Sequence, residues 1–196
     1  MAKSTLPNII SAQQLVDHLK KDGDFKSFPE GTVVHGVVHL GDLKVIHAVN
    51  FRSLVFENSF YCDHTVFEKG LYFDDANMNG FCFGASTCRG TVAFVRMKSR
   101  GPVHCNSARF MGDFCLNKAE LVEMHCDEAV FWGRFFCDNP QIRNDAFFCI
   151  GAKFEGKILA YNNHALGMVL YYYKTGNVEF SMSVFAHLQP PLPPLS

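Results

Sequence analysis

The sequence holds no apolar stretch long enough to cross a bilayer, no Cys-x-x-Cys pair, no excess of either charge and only one tryptophan. A membrane-spanning helix needs about 20 consecutive apolar residues, so no membrane span is expected. A net charge of −1 provides no global field for nucleic acid or for acidic substrates. Met1 to Asn8 is too short and too polar for the basic-then-apolar order of a secretory leader, so none is expected there. Phosphate-binding glycine loops, nucleophile elbows, dinucleotide fingerprints and zinc-protease pairs are missing too. Acids and bases are scattered, so no catalytic residue, no cofactor and no small-molecule substrate is expected.

The 8 cysteines do not read as a disulfide framework. The chain is long for one, and shows no secretory context. Cys62, Cys88, Cys105, Cys126 and Cys137 fall on inward positions of the repeat described next, where a thiol behaves as a small hydrophobe. Reduced core cysteines in a cytoplasmic compartment are the expectation.

What is abundant is phenylalanine, 20 in 196 residues, and it recurs with a beat. Leu40, Cys62, Phe83, Cys105, Cys126 and Phe148 form one column, at steps of 22, 21, 22, 21 and 22 residues. Val45, Phe67, Cys88, Phe110, Phe131 and Phe154 form a second, and Phe51, Phe73, Phe94, Leu116 and Cys137 a third. Phe56, Met78, Ser99, Leu121 and Ile142 form a fourth. Four apolar positions per 21–22 residues describe a coil with four short sides stacked on copies of itself. Many column residues are preceded two positions earlier by alanine, as in Ala108-Arg109-Phe110 and Ala129-Val130-Phe131. That in-out-in alternation is strand geometry, and a helical period is not kept. Gly90, Gly112, Gly133 and Gly156 form a further column, which marks a corner because glycine tolerates positive φ. Gly176, Val178 and Phe180 align with Gly156, Ile158 and Ala160, so the array is expected to run over residues 33–180. About seven coils at roughly 4.8 Å per coil make a rod of about 34 Å.

Residues 9–22 read as a helix that caps the first coil within an N-terminal segment, 1–32. Ser11 caps it, Leu15, Val16 and Leu19 form its apolar stripe, and Asp22-Gly23 ends it. Residues 181–196 form a C-terminal cap and tail. Its Pro190–Pro193 spacing fits a PxxP ligand as well as a frayed terminus.

The units ending in Phe110, Leu121, Phe131 and Phe154 resemble the pentapeptide-repeat proteins, with Leu or Phe at the centre of a five-residue unit and a small residue two before it. The resemblance implies an all-β fold, a right-handed quadrilateral β-helix. Large residues two before the centre at Leu71, Phe81, Phe114 and Phe135 depart from the family pattern, as do coils of 21–22 rather than 20 residues. The family's best-known activity is mimicry of duplex DNA by an acidic β-helix that occupies a topoisomerase. It needs a strongly negative surface. Here there is no acidic residue between Ala76 and Gly112.

Three outward features are candidates for function. On the third side Tyr72, Ala93, Cys115, Phe136 and Leu159 make an apolar stripe, which must be covered or used. The cover would be the N-terminal helix or Met182–Leu188; the use would be a homodimer or another protein, with Trp132 and Met111 on the second side extending the surface. Around the fourth side Arg96, Lys98, Arg100, Lys118 and Arg143 make a basic patch. On the first side His39, Tyr61, Cys82, His104, His125, Phe147 and Val169 face outward, and His104 and His125 stack one coil apart. A metal-dependent enzyme on that ladder is an alternative, but a straight column spreads its ligands too far for the tetrahedral set zinc wants. The expected function is therefore a non-catalytic, protein-binding or self-associating solenoid, with nucleic acid not expected as a partner.

Overall fold

The computed structural model describes residues 8–20, 28–143, 147–161 and 178–180. Its strands are mostly two residues long and fall into four parallel sheets, of 7, 6, 6 and 7 strands. Each coil adds one strand to each sheet, which makes a four-sided parallel β-solenoid. Six complete turns lie among the described residues, from Val33–His35 to Ile158–Tyr161, and the seventh expected coil falls mostly outside them. Ile9–Ser11 adds a strand at one end and Val178–Phe180 at the other, the latter in the expected register, with Ile158 opposite Val178 and Ala160 opposite Phe180.

The coils are held by backbone hydrogen bonds between successive turns and by a continuous apolar interior. Phe94 N–H donates to Cys115 O at 2.8 Å and Leu116 N–H to Phe136 O at 2.8 Å, one coil to the next. Inside, the second column stacks ring on ring. Phe110 and Phe131 lie 4.9 Å apart at 18°, and Phe131 and Phe154 4.8 Å apart at 5°. Phe131 also meets Phe135 edge-on at 5.0 Å, so both preferred aromatic geometries are used.

The first and third sides put a larger apolar residue at the earlier of their two inward positions, such as Phe81 before Phe83 and Phe114 before Leu116. The second and fourth sides pair a mostly small residue with a large one, as in Ala108 with Phe110 and Ala119 with Leu121. The four departures named above, Leu71, Phe81, Phe114 and Phe135, thus lie on the first and third sides, with Leu54 and Met97 as large exceptions on the fourth. The difference originates at the corners. A tight turn precedes the second and fourth sides, as where Ala76 N–H bonds to Phe73 O at 3.0 Å with Asp75 at φ 58°. Such turns require a left-handed residue at their third position. Asp42, His64, Ala85, Ser107 and Glu128 supply it after the first side, and Ser53, Asp75, Arg96, Lys118 and Asn139 after the third.

Those ten left-handed corners are not glycine, although Gly31 and Gly151 take the same turn position in the first and sixth coils, and the glycine column is not left-handed. Gly90, Gly112, Gly133 and Gly156 are absent from the positive-φ residues. They mark a different corner, between the second and third sides, where successive coils touch. A Cβ on Gly112 would lie 2.5 Å from the carbonyl carbon of Gly90, and Gly133 and Gly156 are similarly closed in by the glycine one coil before. Close approach, not backbone freedom, requires glycine there.

Two further expectations are corrected. The helix spans Ala12–Lys20, and Ile9–Ser11 is a strand paired with Val33–His35, because an extended segment continues the sheet where a helix could not. Ser11 Oγ does accept the Gln14 N–H at 3.1 Å while Gln14 Oε1 accepts the Ser11 N–H at 2.8 Å, a reciprocal cap. Leu15, Val16 and Leu19 are buried. The Asp22-Gly23 stop and the tail 181–196 lie outside the described residues. In the sixth coil Phe148 is not inward. Phe147 and Cys149 are buried, Phe148 is 41% exposed, and His125 pairs with Phe148.

Candidate protein-binding site

The third side is built from strands that each place one residue outward between two inward ones. Tyr72, Ala93, Cys115, Phe136 and Leu159 are successive rungs in register. Four are half-buried, and Ala93 is only 6% exposed between larger neighbours. The stripe is thus contiguous. The N-terminal helix does not cover it; the helix packs on Ile9–Ser11, Val33–His35 and Val38–His39, at the open end of the first coil. Met182–Leu188, the other candidate cover, lies outside the described residues.

Two arginines edge this stripe. The Arg52 guanidinium sits 5.5 Å from the Tyr72 ring centroid and that of Arg134 5.0 Å from the Phe136 centroid. Each is anchored by a carboxylate one coil away. Arg52 Nε donates to Asp74 at 2.7 Å, and Arg134 donates through Nη2 to Asp113 Oδ2 at 2.6 Å. The Arg134 hydrogen bonds hold the Asp113 carboxyl below its ordinary range. A guanidinium over a ring shields one face and leaves a flat, partly charged edge. Around the glycine corner, Met111 and Trp132 are 51% and 44% exposed on adjacent coils, so a large apolar anchor stands beside the stripe. Cys115 adds no nucleophile: burial, then the Asp113 charge, push its thiol up to about 11.

The basic residues around the fourth side separate into two sets. Arg96 donates to both oxygens of Asp75 at 2.6 and 2.7 Å, and Lys98 Nζ lies 2.8 Å from Glu120. Lys118 follows Arg96 on the left-handed corner, one coil on. Arg100 and Arg143 share a row on the side itself, two coils apart, with no carboxylate partner among the described residues.

On the first side the outward row is an aromatic ladder. His39 stacks on Tyr61 at 5.0 Å, His104 meets His125 at 4.7 Å, and His125 stacks on Phe148 at 4.7 Å. Phe148 takes the rung assigned from sequence to Phe147, and Val169 lies outside the described residues. Burial, then the neighbouring His125, lower the pKa of His104. Cys82, between the two ring pairs, donates to Asp63 Oδ1 at 3.0 Å, and burial and that bond push its thiol up to about 12. Among the described residues no three His, Cys, Asp or Glu side chains converge as metal ligands would.

Sequence reasoning missed the ring-capping arginines and the ion pairs that link the coils. A signal for them was present: Arg52 and Asp74 are 22 residues apart, and Arg134 and Asp113 are 21, each one coil. Comparison with protein-family models, with curated proteins and with solved structures returns no match.

Proposed function

We propose that this solenoid is a non-catalytic binding module whose third side engages a second protein surface, in the first instance that of another copy of itself. The observation that carries this reading is the contiguous outward stripe from Tyr72 to Leu159 with exposed Trp132 and Met111 beside it. Interfaces are built from such aromatic anchors within a polar rim, and Arg52 and Arg134 are the rim. A pentapeptide-repeat-like architecture suits the role, since stacked coils present a flat lateral face. The 8 cysteines stand outside any disulfide and six of them are buried, which supports a reducing, cytoplasmic setting. Among the described residues no helix is long and apolar enough to cross a membrane.

The test is light-scattering mass over a concentration series for the wild type and for Tyr72→Lys/Phe136→Lys. A dimer in the wild type and a monomer of equal melting temperature in the variant supports self-association. Monomers throughout with equal melting temperatures would leave the stripe free for a different protein, to be sought with a photo-crosslinker at position 136. A monomeric wild type destabilised by the two lysines would mean the stripe is covered within its own chain, and would overturn the reading.

A further inference from the structure

The fourth side carries a shallow groove among the described residues. Two adjoining depressions, of about 430 and about 310 Å³, share Asn77 and Arg100 and run along the stack from Glu57 to Arg143. Their floor is partly apolar, with Val55, Met78 and Leu121, and their walls carry the amides of Asn77, Asn79 and Gln141. The acids that line them are already engaged. Glu120 is held by Lys98 at 2.8 Å, and Glu57 by His35 Nδ1. What remains uncompensated among the described residues is cationic: Arg100 and Arg143, both exposed, with Val122 between them.

We infer that this groove binds an extended acidic peptide segment lying along the stack axis, with carboxylates three residues apart. The spacing follows from two repeats. Arg100 and Arg143 are two coils apart, hence about 9.6 Å at strand spacing. A polyproline II chain advances about 9.3 Å in three residues, so carboxylates at i and i+3 fall opposite the two guanidiniums. A fully extended strand advances about 6.7 Å in two residues and falls out of register. Arginine suits the task because its planar fork takes a carboxylate through two parallel hydrogen bonds. The side-chain amides can donate to backbone carbonyls, which a polyproline II segment leaves free, and the apolar floor accepts proline rings. This site is on a different side from the stripe and does not depend on it.

The experiment is fluorescence anisotropy with a labelled Glu-Pro-Pro-Glu-Pro-Pro-Glu peptide, titrated with the full chain at low and at physiological salt. Saturable binding is expected, weakened about tenfold or more in Arg100→Ala and in Arg143→Ala, as loss of a charge-assisted pair implies. Arg109→Ala, an exposed arginine on the second side, should bind as the wild type does. Each variant's far-ultraviolet dichroism is compared with the wild type, so a folding defect is not read as lost affinity. Four results would overturn the inference: no saturable binding, equal affinity for Glu-Pro-Glu-Pro-Glu, equal affinity for the Gln-substituted peptide, or tighter binding of a single-stranded oligonucleotide.

Discussion

The third and fourth sides share a backbone, a strand spacing and a core, yet treat arginine in opposite ways. On the third side Arg134 is tied to Asp113 in the preceding coil and laid over Phe136 in its own strand's row. On the fourth, Arg100 and Arg143 stand in one row with Val122 between them and, among the described residues, no carboxylate paired to either. The difference is set by what lies one coil away. In a solenoid each outward residue has two neighbours along the stack, fixed by the repeat, and those neighbours decide whether a charge is spent internally or left for a partner. The apolar side has neutralised its charges; the grooved side has kept two.

The comparison is meaningful only if both sides hang on one interior, and Phe131→Asp tests that most severely. Phe131 is 1% exposed and touches Phe110, Phe114, Phe135 and Phe154. Replacing the ring with a carboxylate removes its burial and leaves an unpaired charge, a loss of ~4 kcal/mol or more. Both sides should fail together in a single loss of melting cooperativity. Near-wild-type melting would show that the column assignment is wrong.

Gly133→Ala should be next. Its Cβ would collide with the Gly112 backbone, where nothing flexible can yield. Overpacking of this kind costs roughly 1–3 kcal/mol. Gly133 leads directly into Arg134-Phe135-Phe136, so the third side should lose backbone protection in hydrogen exchange before the fourth. Uniform loss on all sides would mean that the corner is not a local hinge between the second and third sides.

How much of this was legible in the sequence can be stated residue by residue. The second, third and fourth columns are inward as read, because a phenylalanine or leucine every 21–22 residues has no other periodic explanation. The first column fails at its last member because the sixth coil is one residue longer. Phe131 to Phe154 is a step of 23, and the same step from Cys126 leads to Cys149, not Phe148. In Phe147-Phe148-Cys149 hydrophobicity alone cannot choose, so the register had to come from the neighbouring column. The left-handed corners were illegible for another reason. Asp, Ser, His, Ala, Arg, Lys, Glu, Asn and, at Gly31 and Gly151, glycine all occupy them, so no residue type marks the position. The stripe was legible because apolar residues recur on an outward row. Its arginine edge was not, because a cross-coil ion pair shows only when charges are compared one coil apart.

The smallest expected effect separates the two sides by charge alone. Arg134→Ala should lower the melting temperature measurably, because it uncovers Phe136 and leaves Asp113 without its donor, though by less than Gly133→Ala. Arg100→Ala should leave it unchanged, since it has no ion-pair partner among the described residues. Acid gives the same contrast without mutation. The Arg134 hydrogen bonds, together with the guanidinium charge, depress the Asp113 pKa in the folded state. The unfolded state therefore takes up this proton first. The stability Asp113 contributes is complete above its ordinary value of about 3.9 and is lost as pH falls through the lower, folded value. Melting temperature followed from pH 5 downward, an interval set around that value, should fall less steeply for Asp113→Asn than for the wild type, while Arg100→Ala should follow the wild-type slope. Identical slopes for Asp113→Asn and the wild type would mean that the Arg134–Asp113 pair adds nothing to the fold. The two sides would then differ in geometry without differing in energy, and Arg134 would be as available to a partner as Arg100.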